Sequence, residues 1–144
     1  MPSPEQPSPE RQDYAQLLLG KAEGDLRAAL ALADASEMSD DVVGFHAQQA
    51  TEKAIKTALV LRGVDFARTH DLDYLAELAT DAGLALPKAV AAADWLTPWA
   101  AELRYDELPA PLDRAAALDV AREAVAWARD ELGRAIGPEP GRVR

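Results

Sequence analysis

The chain has 144 residues and a formal net charge of −10, with 49% hydrophobic and 28% charged residues. This is the size and composition of one ordinary globular domain, and the acidic balance argues against broad, unspecific binding to nucleic acid or an anionic membrane. With no cysteine and two histidines, a disulfide framework and a thiolate metal site are excluded, and neither a metal nor a cofactor is expected.

Alanine supplies much of the hydrophobicity, and aromatics make up only 6%. Alanine and leucine favour helix, and β-branched residues are few. The sequence therefore predicts an all-α fold, a bundle of about five helices. No apolar run approaches a membrane span, and Met1–Glu10 lacks the apolar centre of a signal peptide, so a cytoplasmic protein is expected.

Residues 1–11, MPSPEQPSPER, read as a mobile proline-rich tail. The helical domain is expected over 12–136, with a second mobile tail over 137–144. The first helix is expected from about Gln12–Tyr14 to Ala35, with Ala15, Leu18, Ala22, Leu26, Ala29 and Ala33 as its apolar stripe. Gly20 and Gly24 permit close backbone contact and are expected to mark a crossing with the second helix. Lys21 and Asp25 stand four apart and predict a surface pair.

After a polar break at Ser36–Asp40, capped by Ser39 or Asp40, the second helix is expected from about Asp41 to Arg62. At roughly 100° per residue, Val43, Ala47, Ala50, Ala54, Ala58 and Leu61 share one mostly alanine face. On another face stand His46, Gln49, Lys53 and Lys56. This polar stripe has two readings, a solvated helix surface or an anion-binding surface, and the spacing decides neither. Gln48 and Glu52 share a side with Phe45 and Leu59. If buried, they need partners, which a twofold contact with a second subunit can supply.

Gly63 ends the second helix, and Asp71 caps a third that carries Leu72, Leu75, Leu78 and Ala79 and ends at Gly83. His70, just before it, is either a loop histidine or part of one pocket with His46. A fourth helical region is expected from Lys88 to about Arg104, broken or kinked at Pro98. Trp95 and Trp99 would share a face there, packed in the core or, alternatively, at a dimer interface. Arg104-Tyr105-Asp106 offers a guanidinium for phosphate and a ring for a base, or simply a structural closure. The last helix, entered through Pro111, is expected to run to about Ile136. Its stripe is Leu118, Ala121, Val125, Ala128 and Leu132, with Val120, Ala124 and Trp127 beside it. The carboxylates scatter over predicted outer helix faces, and no glycine-rich phosphate loop, HExxH or GxSxG is present.

The run FHAQQATEKAIKTALVLRG, followed by THDL, resembles the signature of HEPN domains, the higher-eukaryote-and-prokaryote nucleotide-binding domains. Phe45, His46, Gln48, Gln49, Glu52, Lys53, Lys56, Gly63, His70, Asp71 and Leu72 carry the resemblance. Lys21, Asp25 and Leu26 upstream, and Arg104–Asp106 downstream, fit it in the same order. The resemblance implies an up-and-down four-helix core that commonly dimerises. It also implies one of two activities. Some HEPN members resemble metal-independent ribonucleases, whose usual motif is an arginine followed after four to six residues by a histidine. No histidine follows Arg104, and Arg62 and His70 are separated by seven residues, so that motif is missing. Others resemble the non-catalytic partner of a small nucleotidyltransferase in toxin–antitoxin-like pairs. The expected function is therefore an accessory, dimeric nucleotide-binding module with a nucleotidyltransferase partner and no catalytic residues. A nucleotide or RNA is its expected ligand, at His46, Gln49, Lys53, Lys56, His70, Arg104 and Tyr105. A divergent ribonuclease toxin and a purely structural dimerisation module are the alternatives.

Overall fold

The computed structural model describes residues 6–100 and 111–137. Arg104, Tyr105, Asp106 and most of the two expected tails lie outside them. The described residues form α1 (Pro9–Ala33), α2 (Asp40–Leu61), α3 (Leu72–Asp81), the short α4 (Lys88–Ala91), a 3-10 helix (Ala93–Ala100) and α5 (Arg114–Ile136), with no strand among them. The fold is all-α, as expected.

Helix α2 is the centre. It packs against α1, α5, α3 and the 3-10 helix. Its alanine face is closed on all sides: Val43, Ala47, Ala50, Ala54 and Ala58 have no exposed surface. Small side chains let two long helices approach α2 together, so a core poor in aromatics still excludes water. The larger side chains Ile55, Leu59, Leu72, Leu75, Leu96 and Val125 fill the remaining space. Buried Thr51 and Thr57 donate their hydroxyls to the carbonyls one turn back, at Ala47 and Lys53, and so need no outside partner.

Helix α1 begins earlier than the sequence predicts. Ser8 accepts from the Arg11 amide and Pro9 occupies the first turn, where a missing N–H costs nothing. Gly63, Gly83 and Gly137 take positive φ just past α2, α3 and α5, which is where the sequence placed the helix ends. Asp71 caps α3 by accepting from the amides of Asp73 and Tyr74.

Three expectations are corrected. Gly20 has open space around it, and Gly24 meets only an arginine of its own helix. The close approach is made instead by Gly44 on α2, where a Cβ would stand 2.7 Å from the Trp99 ring. Pro98 does not end a long helix; it sits inside the 3-10 helix. At three residues per turn, positions four apart diverge by about 120° instead of the 40° of an α-helix. Trp99 is therefore in the core, while Trp95 is 39% exposed. Asp40 is not a cap. Its carboxylate accepts from Arg114 Nε at 2.8 Å and from the Leu112 amide at 3.1 Å. The same guanidinium donates to the carbonyls of Ala33 and Met38. One arginine at the start of α5 thus satisfies orphan carbonyls at the end of α1 and in the turn to α2.

This clamp carries a pH dependence. The Arg114 hydrogen bond, with the Leu112 amide behind it, holds the Asp40 carboxyl below its ordinary value of 3.8 against an opposing effect of burial. A group depressed in the folded state stabilises above its unfolded pKa, and that stability is lost as pH falls from about 4 through the folded value. Urea unfolding of Asp40→Asn beside wild type should show lower stability at pH 7, and the gap should narrow steadily below about pH 4. A gap that stays constant down the acid limb would refute the assignment.

Candidate functional site

The polar stripe of α2 is neither a solvated face nor a row of free cations. It is tied into two carboxylates, and these are not on outer faces. Asp25 of α1 turns away from Lys21 and toward α2. Its Oδ1 stands 2.9 Å from His46 Nδ1, and its Oδ2 accepts from Lys53 Nζ at 2.6 Å. The expected surface pair with Lys21 is thereby replaced by a link between two helices. The His46 ring meets Phe45 edge-on, with centroids 5.4 Å apart.

The second carboxylate is Glu52, within α2 and only 3% exposed. Its Oε2 accepts from Lys56 Nζ at 2.9 Å. Its Oε1 lies 2.7 Å from His70 Nδ1 and accepts from Gln48 Nε2 at 3.1 Å and from Gln49 Nε2 at 3.4 Å. Gln48, fully buried, also donates to the His70 carbonyl and accepts from Gln49. A buried carboxylate is tolerable only when its lone pairs are filled, and here all the partners come from the same chain. A twofold contact, which the sequence offered as one source of those partners, is not needed to supply them. Lys56 also lies 5.5 Å from the centre of the Phe66 ring, a cation–π contact from the loop after α2.

His46, Gln49, Lys53, Lys56 and His70 are thus brought into one constellation along α2, between α1 and the entry to α3. His46 and His70 do not share a carboxylate: the first belongs to Asp25, the second to Glu52. A ring nitrogen facing a carboxylate is assigned as the donor, so both imidazoles carry their proton on Nδ1 and present Nε2 as the other edge. The His70 side chain is 57% exposed and that of His46 28%. Lys53 and Lys56 are less exposed, at 23% and 14%. Arg104 and Tyr105 lie outside the described residues.

Asp25 and Glu52 are visible in the sequence, but their organising role is not. The available signal was Glu52 among apolar neighbours: a carboxylate on a face shared with Leu59 must be buried or break the helix packing. Asp25 gave no such signal, because its local pairing with Lys21 looked sufficient.

The sequence model of the HEPN domain matches residues 15–131. A protein of Methanocaldococcus jannaschii named "Putative toxin MJ1304" is 42% identical over 55 residues, which make up 38% of this chain and 35% of that protein. The match thus spans about a third of the length of that relative. No solved structure matches the chain significantly. Among the described residues, no helix is long and apolar enough to cross a membrane. Because the family match runs from the first turns of α1 to the last turns of α5 and takes in the whole α2 constellation, the chain belongs to the HEPN domain family.

Proposed function

We propose that this chain is an accessory HEPN module that binds a nucleotide phosphate at the α2 constellation and works beside a nucleotidyltransferase in a toxin–antitoxin-like pair, as a homodimer. The observation that carries this reading is the fixed grouping of two lysines and two histidines around only two carboxylates. Each histidine faces its carboxylate through Nδ1, which leaves Nε2 as its other polar edge. The lysines are balanced, not free, and a bound phosphate has to share them with Asp25 and Glu52. Missing the arginine–histidine spacing of the family's ribonucleases supports an accessory role over a catalytic one.

The test is calorimetry with ATP and AMP at low and moderate salt, wild type beside Lys53→Ala/Lys56→Ala and Asp25→Asn. The binding that belongs to the α2 constellation should vanish in the double lysine variant, while binding elsewhere on the chain is retained. Binding at the constellation should strengthen several-fold in Asp25→Asn, which releases Lys53 from its counter-charge. Equal binding in all three would remove the ligand from this site.

One observation favours a second reading, a divergent ribonuclease toxin. A carboxylate behind an imidazole is the arrangement that orients a general base, and both histidines have it. In that case wild-type protein cleaves RNA without metal, and His70→Ala abolishes the cleavage.

A further inference from the structure

A cavity lies at the C-terminal end of α2, and none of the constellation's side chains lines it. It has a volume of about 720 Å³ and is walled by Gln6, Leu61, Arg62, Ala85, Arg134 and Ala135, among others. That volume is within the usual range for small-molecule sites. Its apolar floor continues the small hydrophobic cluster of Ala15, Leu18, Val60 and Leu61, with Ala135 packed beside it. Gln6 Nε2 donates to the Ile136 carbonyl and fastens the segment before α1 to the end of α5.

The charges at the rim are arranged by backbone. Arg62 donates from Nη1 to the Ala82 carbonyl at 2.7 Å, and its guanidinium lies across Gly83, whose φ of +86° admits no side chain without strain. Arg11 lies in the same way over Gly63, 3.1 Å from where a Cβ would stand. Of these two guanidiniums, that of Arg62 lines the cavity and that of Arg11 does not. Arg62 spends one N–H on Ala82, which orients a planar fork that retains further donors. On the facing wall, Arg134 pairs with Glu131, and its side chain is 67% exposed. Glu131, whose side chain is 15% exposed, lines the cavity as well, so a ligand anion has to displace its carboxylate from Arg134.

We infer that this end cavity is a binding site for a phosphate monoester carried on a flat or apolar body, with Arg62 as its main anion contact and Arg134 as a second. Guanidinium forks match phosphate geometry by paired hydrogen bonds, and the alanine and leucine floor takes the body. The site is independent of the α2 constellation: it uses none of the same side chains, and it stands whether or not that constellation binds nucleotide.

The experiment is titration of the purified full chain with AMP, adenosine and inorganic phosphate, followed by amide chemical shifts. Wild type, Arg62→Ala, Ala85→Trp and Lys53→Ala/Lys56→Ala are compared, with a thermal melt of each. AMP should shift the amides of residues 61–63, 83–85 and 134–135. Arg62→Ala should weaken AMP at least tenfold, and adenosine alone should bind poorly. Ala85→Trp fills the cavity from an exposed loop position and should block AMP while leaving the melt unchanged. The double lysine variant should keep these shifts. Absence of shifts in wild type, or AMP binding unchanged in both Arg62→Ala and Ala85→Trp, overturns the inference. So does AMP perturbation confined to the α2 constellation.

Discussion

Glu52→Ala should lower the unfolding free energy by about 3–5 kcal/mol, because it strips the partner from charges and amides that stay buried. Glu52 is 3% exposed and Gln48 is fully buried. Removing the carboxylate leaves the Lys56 ammonium, whose side chain is 14% exposed, without its counter-charge. It also leaves Gln48 Nε2 and His70 Nδ1 without an acceptor they share. Glu52→Gln keeps one oxygen for Gln48 and His70 but sets an amide toward Lys56, and should cost less than half as much. Lys56→Met added to Glu52→Ala should recover part of the loss, since it removes the stranded charge and keeps the stem. Urea unfolding of the four proteins measures this. A loss below about 1 kcal/mol for Glu52→Ala would mean that the network is solvated and the site is not fixed in advance.

The long helices were legible because their apolar residues repeat at three and four and because glycines or acidic caps stand at their ends. The alanine face of α2 was read residue by residue, since burial of a periodic stripe needs only local information. What could not be read was pairing across helices. Asp25 has a lysine four residues before it and no visible reason to prefer α2. Only when α1 lies against α2 do His46 and Lys53 offer it two partners instead of one. Asp40 likewise had a local role available, as a helix cap, and lost it to Arg114, 74 positions away. Trp95 and Trp99 were misplaced for a different reason. The period assumed was 3.6 residues, and Pro98 together with the short α4 turned the segment into a tighter helix, which separates the two rings. The α2 constellation was legible as a list of residues and not as an electrostatic balance, because the two carboxylates that neutralise it come from a different helix and from its buried side.

Gly44 tests the packing beneath that constellation. Its position one residue before Phe45 and two before His46 makes it the contact between α2 and the 3-10 helix. A Cβ there would lie 2.7 Å from Trp99 Cε3 and 2.8 Å from Cδ2. Trp99 is only 3% exposed and belongs to the main core cluster, so its ring is held by packing. In a free helix, alanine would gain about 1 kcal/mol over glycine. In this one, overpacking costs about 1–3 kcal/mol and reverses the sign. Gly44→Ala should therefore be neutral to mildly destabilising, and Gly44→Leu should lose about 3 kcal/mol or more, with a flattened near-ultraviolet dichroism from the displaced tryptophan. Trp99→Ala alone opens a cavity and should cost about 3–5 kcal/mol. Combining it with Gly44→Leu should cost clearly less than the sum, because the leucine fills what the indole leaves. Strict additivity would separate the two residues and place the close approach elsewhere. If the leucine variant also loses ligand at the α2 constellation while Gly44→Ala keeps it, then seating of the 3-10 helix sets the register of Phe45 and His46. Packing below the site and binding at its rim are in that case one coupled property of α2.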